Sequence, residues 1–342
     1  MSWYHVPGNQ QDTVVCTCVR LSRNLAGYPF PARLDATGAR EIIRKVGAVL
    51  EKNGFIPTDF SEISRGAAES LVEKRFVSSR FARESLPHVL FLNDPCNLSV
   101  TVCEEDHIRI RCILSGLALK DAYEGAVKVE STLDGALELA FDEKLGYLTA
   151  SPADIGTAMG VSVILSLPLL AENGRLAGLT HRLEQVGLCL RGLCGDGKGF
   201  PGGLCMISNR VTLGMREEEI TDTVEGAVHI LTAAERDLWA GIRGEDLDRL
   251  TDRIHRAEGI LRHAHILTAT EAVELMGLMR LGAAMGITRG IRVEVLTALL
   301  TEAMPATLTL GVEPPPRNRV EQDMLRARVV RERVFGDTQI AV

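Results

Sequence analysis

The sequence predicts an α+β fold in which a body of strands and helices is followed by an all-helical C-terminal unit. Short alternating or apolar runs, which are typical of strands, occur up to about residue 214. From Arg216 onward the apolar residues recur with helical spacing, and strand patterns are few. These observations place the predicted body at residues 1–235 and the predicted helical unit at residues 236–342.

The strand predictions rest on alternation and on β-branched runs. Residues 98–102 alternate apolar and polar side chains, the pattern of a half-buried strand. Residues 161–170 begin with an apolar, β-branched run, which suits a buried strand that ends at Pro168. The predicted strand regions are 13–20, 88–92, 98–114, 161–170, 188–191 and 204–214.

The helix predictions rest on apolar stripes and capping residues. Ile42, Val46 and Leu50 fall on one face of a helix over residues 37–53. Thr268 and Glu271 form a capping box at the start of a later helix. The predicted helices are 37–53, 66–75, 133–141, 178–186, 216–241, 246–265, 270–285, 289–303 and, after a proline linker, 319–333.

Composition narrows the class of protein. Hydrophobic residues make up 46% and charged residues 24% of the chain, as in soluble globular proteins. The net charge of −7 argues against non-specific nucleic-acid binding, which needs a basic surface. The N-terminal residues are polar, and no apolar run approaches the ~20 residues that span a bilayer. We therefore expect a cytoplasmic protein with no nucleic-acid or membrane partner.

The eight cysteines are scattered and form no CxxC pair. Several lie in strand-like apolar runs, which is typical of free buried thiols in a reducing compartment. This spacing predicts no zinc site, and we expect no metal bound directly by clustered side chains.

Three consecutive acids, Glu104, Glu105 and Asp106, separate two alternating strands. The second strand presents basic residues on one side, namely His107, Arg109 and Arg111. Acids and guanidinium groups at one sheet edge would suit a base that works beside bound phosphate. The alternative is a hairpin tip with solvated salt bridges. His107 is expected to be a hydrogen-bonded residue of the sheet rather than a general base.

Residues 192–199 (GLCGDGKG) nearly match the phosphate-binding pattern GxxxxGK[ST]. However, Gly199 stands where the pattern needs a hydroxyl residue, and a strand rather than a helix follows. The sequence therefore does not predict a P-loop. One interpretation is a mobile loop that carries Arg191 and Asp196, and the other is a long surface hairpin.

Several segments together resemble the ATP:guanido phosphotransferases, and among them the bacterial protein arginine kinases. In chain order they are CTCVRLSRNLAGYPFP, SLVEKRF, CEEDHIRI, AFDEKLGYLTASPADIGTAM, VSVILSLPLL, LRGLCGDG and ISNRVTLG. The resemblance implies an antiparallel sheet flanked by helices, with a helical C-terminal domain after it. It also implies ATP and Mg²⁺ as cofactors and phosphoryl transfer to a guanidinium group, here on arginine side chains of proteins.

The resemblance assigns roles to individual residues. Glu105 and Asp196 match the two carboxylates that hold the acceptor guanidinium, although the family usually has Glu at the second position. A guanidinium is protonated and delocalised, so it needs a base beside it to act as a nucleophile. The positions that match nucleotide contacts are Thr17, Arg20, Arg75, Arg109, Ser162, Arg191 and Gly192, with Arg75 standing where related chains have a nucleotide-contacting histidine.

Further positions depart from the family pattern. Cys18 and Gly160 replace two phosphate-binding arginines, and Cys103 replaces an asparagine next to the acids. In the loop before Gly160, Ser151 replaces a reactive cysteine and Asp154 replaces an asparagine. Asp154 would increase the repulsion of a triphosphate unless a metal or lysine compensates. These losses keep a second interpretation open, a catalytically impaired pseudokinase that acts as a binding or regulatory partner.

The C-terminal residues QDMLRA resemble a phosphoarginine-binding motif that has lost its first arginine. Asp323 and Arg326 are the members that this chain keeps. An ordinary surface helix with local charge pairs is the alternative. The resemblance further implies a zinc-finger activator, the Clp protease machinery, a homodimer and a role in the stress response.

Overall fold

The computed structural model describes residues 2–93, 95–193 and 199–336. The strands are β1 (Val14–Arg23), β2 (Ile56–Asp59), β3 (Val89–Leu92), β4 (Leu98–Val102), β5 (Ile108–Ser115), β6 (Phe141–Asp142), β7 (Gly146–Tyr147), β8 (Met159–Ser166), β9 (Leu188–Gly192) and β10 (Leu204–Asn209). One eight-stranded sheet has the order β2-β3-β4-β5-β1-β8-β10-β9, and β6 and β7 pair separately. All neighbouring strands are antiparallel, which confirms the expected sheet.

The helices are α1 (Ala36–Lys52), α2 (Arg65–Glu73), α3 (Leu119–Asp134), α4 (Pro168–Glu172), α5 (Arg175–Gln185), α6 (Glu217–Gly241), α7 (Gly244–His263), α8 (Ala269–Ala284), α9 (Val293–Glu302), α10 (Pro305–Thr309) and α11 (Arg319–Phe335). Residues 217–335 contain helices and no strand, as predicted. The predicted cap of α8 is also present, since Thr268 Oγ1 accepts a hydrogen bond from the Glu271 amide at 3.2 Å.

The central sheet has a different partner on each face, because successive side chains of a strand point to opposite sides. On one face Val19 and Leu21 of β1 pack with α1, α3 and α6 in the largest buried cluster. On the other face Ile113 and Ile164 belong to a second cluster, which includes Val273 of α8. The second face also carries the cleft described below.

The helix predicted at residues 133–141 is wrong. The helix in this region is α3, which begins at Leu119 and ends at Asp134. Leu119, Ala122, Ala126, Val129 and Leu133 recur with helical spacing and are buried, so the stripe was present in the sequence. The short β2 and α10 were also not predicted.

Helix α6 runs through residue 235, where the sequence suggested a division between domains. Its Val224, Val228 and Leu231 pack into the cluster on the helical face of the sheet. The two-domain division at this residue stays a prediction.

The C-terminal helices pack tightly on the body. A Cβ atom at Gly277 of α8 would lie 2.2 Å from the Gly202 carbonyl oxygen, so the two backbones touch. Arg280 is fully buried and donates a hydrogen bond to the Gln11 carbonyl oxygen at 2.7 Å. Glu73 of α2 accepts hydrogen bonds from two backbone amides at the start of α10. None of the helices in the described ranges is both long enough and apolar enough to cross a membrane.

Candidate active site

A cleft of about 520 Å³ lies on the sheet face opposite α1 and α3. Its floor is built from every second side chain of β1, β5 and β8. One wall comes from the segment that follows α2, including Ser78. Four arginines line the cleft, namely Arg20, Arg75, Arg111 and Arg191.

The strand register brings these arginines together from distant parts of the chain. Arg20 lies opposite Arg111 on β5 and opposite Gly160 on β8. Arg191 lies on β9, at the edge of the same half of the sheet. Arg75 reaches the cleft from the residues just after α2. The cleft therefore concentrates positive charge, which favours an anionic ligand.

The Arg20 guanidinium lies over Gly160. A Cβ atom at position 160 would come within 3.0 Å of Arg20 Nη2, so the glycine makes room for this arrangement. Arg20 Nε is buried without a hydrogen-bond partner in the described structure, and Asp154 Oδ1 lies 3.8 Å from Nη2. Burial and the neighbouring Arg109 lower the pKa of Arg20. Arg20 is the cationic neighbour of Asp154 among the described residues, and compensation by a metal or lysine when a triphosphate is bound stays a prediction.

Arg75 and Arg111 have no acidic partner among the residues that the structure describes. Arg111 Nη1 donates a hydrogen bond to the Phe76 carbonyl oxygen at 2.6 Å. Arg75 has a φ of +65°, a left-handed conformation that costs a residue with a Cβ about 1–2 kcal/mol. This backbone conformation lies just beyond the C-terminus of α2, where glycine is usual.

The acidic corner between β4 and β5 closes around Arg109. Glu104 is 1% exposed and accepts hydrogen bonds from Arg109 Nη1 at 2.6 Å and Ser78 Oγ at 2.6 Å. Asp106 Oδ2 lies 3.6 Å from Arg109 Nη2. Burial would raise the pKa of Glu104, but Arg109 and Ser78 outweigh burial and lower it. Glu104 is therefore a buried carboxylate that holds Arg109 in place.

Glu105 is the accessible acid of the corner, with 30% of its side chain exposed. Its Oε2 accepts a hydrogen bond from Arg109 Nη2 at 3.2 Å. Its Oε1 lies 3.5 Å from Nη1 of Arg80, which is itself exposed. Ser78 connects this corner to the cleft, because it lines the cleft and donates to Glu104. Glu105 is thus linked to the cleft lining through Arg109, Glu104 and Ser78, and it already contacts two guanidinium groups.

His107 is held by backbone groups. Its Nδ1 accepts a hydrogen bond from the Leu25 amide at 3.0 Å, and its Nε2 lies 2.9 Å from the Pro29 carbonyl oxygen. Burial lowers the pKa of His107, so the neutral ring is favoured. These contacts confirm the expectation of a hydrogen-bonded residue rather than a free base.

Cys103 has a φ of +65° and a fully buried side chain. Asparagine tolerates this left-handed conformation better than cysteine does, which explains why the family pattern has asparagine there. Burial raises the pKa of the Cys103 thiol to about 12, so the thiol is neutral. Cys103 is a structural residue of the corner.

The predicted nucleotide contacts divide into two groups. Arg20, Arg75, Ser162 and Arg191 line the cleft, as do the altered positions Cys18 and Gly160. Thr17, Arg109 and Gly192 are not among the lining residues.

Two of these predicted contacts are engaged within the protein. Thr17 is buried, and its Oγ1 donates a hydrogen bond to the Gly116 carbonyl oxygen at 2.7 Å. Its hydroxyl is therefore used in holding the backbone. Arg109 is enclosed by the acidic corner, where it contacts Glu105, and it lies close enough to Arg20 to lower the pKa of that guanidinium; its contact with the nucleotide stays a prediction.

Asp196 lies outside the described residues. Ser151 lies at the start of a short 3₁₀ helix that contains Asp154, and its carbonyl oxygen accepts a hydrogen bond from Thr149 Oγ1. Arg111 is the lining arginine that the sequence comparison did not single out. The sequence indicated the position of Arg111 through the alternation of β5, because residues two apart on a strand, such as Arg109 and Arg111, lie on the same side.

Asp323 and Arg326 of the C-terminal motif are both buried and pair with each other. Arg326 also donates hydrogen bonds to the carbonyl oxygens of Ala303 at 2.8 Å and Leu267 at 2.9 Å. In this conformation the pair ties α11 to the end of α9 and to the loop before α8.

The described cysteines are free, and the described residues contain no group of three or more His, Cys, Asp or Glu side chains arranged to hold a metal ion.

Comparison with known proteins places this geometry in a family. The model for "ATP:guanido phosphotransferase, C-terminal catalytic domain" matches residues 41–238, and that for "Protein-arginine kinase McsB C-terminal domain" matches residues 247–340. A protein-arginine kinase from Desulforamulus reducens is 34% identical over 97% of this chain and 95% of its own length. One from Pelotomaculum thermopropionicum is 34% identical over 96% of this chain and 94% of its own length.

The fold is also similar to that of a solved structure, the duplicated taurocyamine kinase from Schistosoma mansoni. The TM-score is 0.61 at 23% identity, over 73% of this chain and 38% of that chain. The sequence matches cover both the sheet-containing body and the C-terminal helices. This chain therefore belongs to the ATP:guanido phosphotransferase family, in its protein-arginine kinase branch.

Proposed function

We propose that this protein transfers the γ-phosphoryl group of ATP to arginine side chains of other proteins. The observation that carries the proposal is a cleft lined by four arginines next to an accessible carboxylate, Glu105. Positioned cations and a positioned base are what phosphoryl transfer to a guanidinium requires, because the protein contributes alignment and charge stabilisation.

The cleft residues fit a bound triphosphate. Arg20 carries a buried Nε without a partner, and Arg75 and Arg111 lack acidic partners within the described ranges. Guanidinium groups bind phosphate oxygens through paired hydrogen bonds. Mg²⁺ carried by the phosphates would neutralise part of the charge that develops as the leaving group departs. Arg20, Arg75, Arg191 and Ser162 are the residues that we assign to the nucleotide, together with Arg111. Thr17, Arg109 and Gly192 stay candidates on the strength of the family pattern alone.

Glu105 would orient the acceptor guanidinium and take its proton. As the new N–P bond forms, the bond between the γ-phosphorus and the β–γ bridging oxygen breaks, and ADP leaves. The guanidinium nitrogen loses a proton to Glu105 in the same process. The contact between Glu105 and Arg80, at 3.5 Å, supports this role because the acceptor has the same functional group. Arg109 would fix the orientation of Glu105 from behind.

Asp196 remains our candidate for the second carboxylate, on the strength of the family pattern alone. The two acids would hold the guanidinium from two sides, which raises the fraction of productive orientations. Phosphoarginine binding by Asp323 and Arg326 also stays a prediction. A zinc-finger activator, delivery of substrates to Clp proteases, a homodimer and a cytoplasmic role in the stress response are further proposals from family membership.

The test is phosphate transfer from radiolabelled ATP, with Mg²⁺, to an arginine-containing protein. We expect acid-labile, alkali-stable labelling with the wild-type chain. Glu105→Gln should lower kcat by about 10²- to 10⁴-fold, since it removes the base while keeping the shape. Glu143→Gln, at an exposed position on the β6–β7 turn, is the matched control and should retain activity.

The alternative of a non-catalytic relative predicts a different outcome. Wild-type protein would then leave no phosphoarginine under any condition, and Glu105→Gln would be indistinguishable from wild type. Membership of a family of curated kinases does not favour this alternative.

A further inference from the structure

We propose that Arg111 binds the phosphate chain of the nucleotide and supplies from β5 the positive charge that position 18 does not supply from β1. The inference rests on the proposed function. It gives a binding role to a residue that the family pattern left without one.

The position of Arg111 fits this role. Cys18 and Arg20 lie on the same side of β1, and Arg111 lies directly opposite Arg20 in the antiparallel register. Burial raises the pKa of the Cys18 thiol, and Arg111 is the first charge that opposes this rise. Cys18 is therefore a neutral neighbour of Arg111, and a guanidinium from position 111 stands next to the space that an arginine at position 18 would use.

The hydrogen bonds of Arg111 leave most of its donors available. Nη1 donates to the carbonyl oxygen of Phe76 at 2.6 Å and more weakly to that of Arg75 at 3.5 Å. Nε and Nη2 have no protein partner in the part of the chain that the structure describes. The backbone contact fixes the plane of the guanidinium, and the free edge can bind phosphate oxygens.

The neighbouring charges also favour an anion at this place. Arg20 and Arg111 face each other across two adjacent strands, and Arg75 lies on the wall of the same cleft. Like charges held this close raise the free energy of the empty cleft, and a polyanion removes that repulsion. Asp154 pairs with Arg20, at 3.8 Å, and among the described residues neither Arg75 nor Arg111 forms a salt bridge, although the charge of Arg111 reaches the buried Glu104.

The substitution Arg111→Gln tests the role of the positive charge while preserving the contact of the side chain with the backbone. The glutamine amide can still donate to the Phe76 carbonyl oxygen, whereas the positive charge and the free edge are lost. Calorimetric titration with Mg-ATP and with inorganic tripolyphosphate should show Kd values about 10- to 100-fold higher than for wild type. Arg289→Gln, at an exposed position far along the chain, is the control and should bind both ligands as wild type does.

A second variant tests whether an arginine at position 18 can take over the proposed role of Arg111. The double variant Cys18→Arg/Arg111→Gln should regain at least about tenfold of the lost affinity, because it restores a guanidinium to the same row of the sheet. Thermal unfolding without ligand accompanies each titration. A folded Arg111→Gln protein that has lost affinity for both ligands supports the proposal.

The outcomes separate this inference from the proposed function. If wild type binds ATP and phosphorylates arginine while Arg111→Gln binds both ligands equally well, the assignment of Arg111 is wrong and the function stands. If the variant loses affinity for ATP but not for tripolyphosphate, Arg111 does not contact phosphate, and the inference is overturned. If wild type binds neither ligand, both proposals fail.

Discussion

Arg109 and Arg111 lie on the same side of β5, yet their surroundings are opposite. Arg109 is enclosed by three carboxylates, with Glu104 at 2.6 Å, Glu105 at 3.2 Å and Asp106 at 3.6 Å. Arg111 faces the cleft and is held by backbone carbonyl oxygens, and it forms no salt bridge with an acid in the described structure. The same strand therefore carries Arg109, whose charge is neutralised by carboxylates of the protein, and Arg111, whose guanidinium is available to a ligand.

This difference shows how the same residue type can serve scaffold and site. A buried arginine that is fully paired is costly to remove, because its carboxylate partners are left without a counter-charge. An arginine at a cleft without an acidic partner contributes little to the fold, and its free energy is lowered by an anion instead. Family resemblance assigned the nucleotide to Arg109, which stays a prediction, and the contacts leave the guanidinium of Arg111 available to the nucleotide as well.

The largest expected effect is on stability. Arg109→Gln should lower the free energy of unfolding by about 3–5 kcal/mol, since Glu104 and Asp106 would stay buried without their cation. Arg111→Gln should lower it by less than about 1 kcal/mol. Denaturant unfolding of the two variants in parallel measures the contrast. Equal losses for the two variants would contradict the distinction between them.

An intermediate effect on stability is expected for a substitution of His107, which adjoins the acidic corner around Arg109. Burial lowers its pKa in the folded state below the ordinary value of 6.5, so the unfolded chain binds a proton more readily. The neutral His107 ring contributes fully to the free energy of unfolding above pH 6.5. This contribution is lost as the pH falls below 6.5, by at most about 1.4 kcal/mol per pH unit. His107→Gln should flatten the pH dependence of stability as the pH falls below about 6.5.

An unchanged slope in the His107→Gln protein would show that other groups cause the acid sensitivity. Glutamine is the appropriate replacement because its side-chain oxygen can still accept a hydrogen bond from the Leu25 amide. A drop in stability that is equal at every pH would report lost packing rather than lost titration.

The smallest effect, a change in ligand affinity, is expected for a substitution of Asp154, which contacts the cleft residue Arg20. Asp154→Asn removes a negative charge 3.8 Å from Arg20 and should tighten tripolyphosphate binding by about 2- to 5-fold. Asp248→Asn, at an exposed position on α7, is the control. Weaker binding that appears only with Mg²⁺ would contradict this view and would assign Asp154 to the metal.

The architecture was largely predictable because its patterns are local. The alternation at residues 98–102 and the capping by Thr268 both appear in the structure. The helix placed at 133–141 failed because the apolar stripe of α3 begins earlier, at Leu119. The short β2 carries mostly exposed residues, so it has no buried face to give it a pattern.

The site was predictable in its residue types but not in all of its contacts. Alternation separates Thr17 from Arg20, because residues three apart on a strand point to opposite sides. That rule could have removed Thr17 from the predicted contacts. It could not distinguish Arg109 from Arg111, which share a face. Arg109 differs from Arg111 because it donates a hydrogen bond to Glu104, whereas Arg111 donates to the carbonyl oxygen of Phe76. The Phe76 contact joins residues far apart in the sequence, and the Glu104 contact depends on the conformation of the acidic corner, so alternation predicts neither.

The most direct test of the central claim is ³¹P nuclear magnetic resonance of the full chain incubated with Mg-ATP and an arginine-containing protein. The proposed reaction predicts that ATP signals decline as ADP and a phosphorus–nitrogen species appear together. Release of inorganic phosphate alone, or an unchanged ATP spectrum, would contradict it.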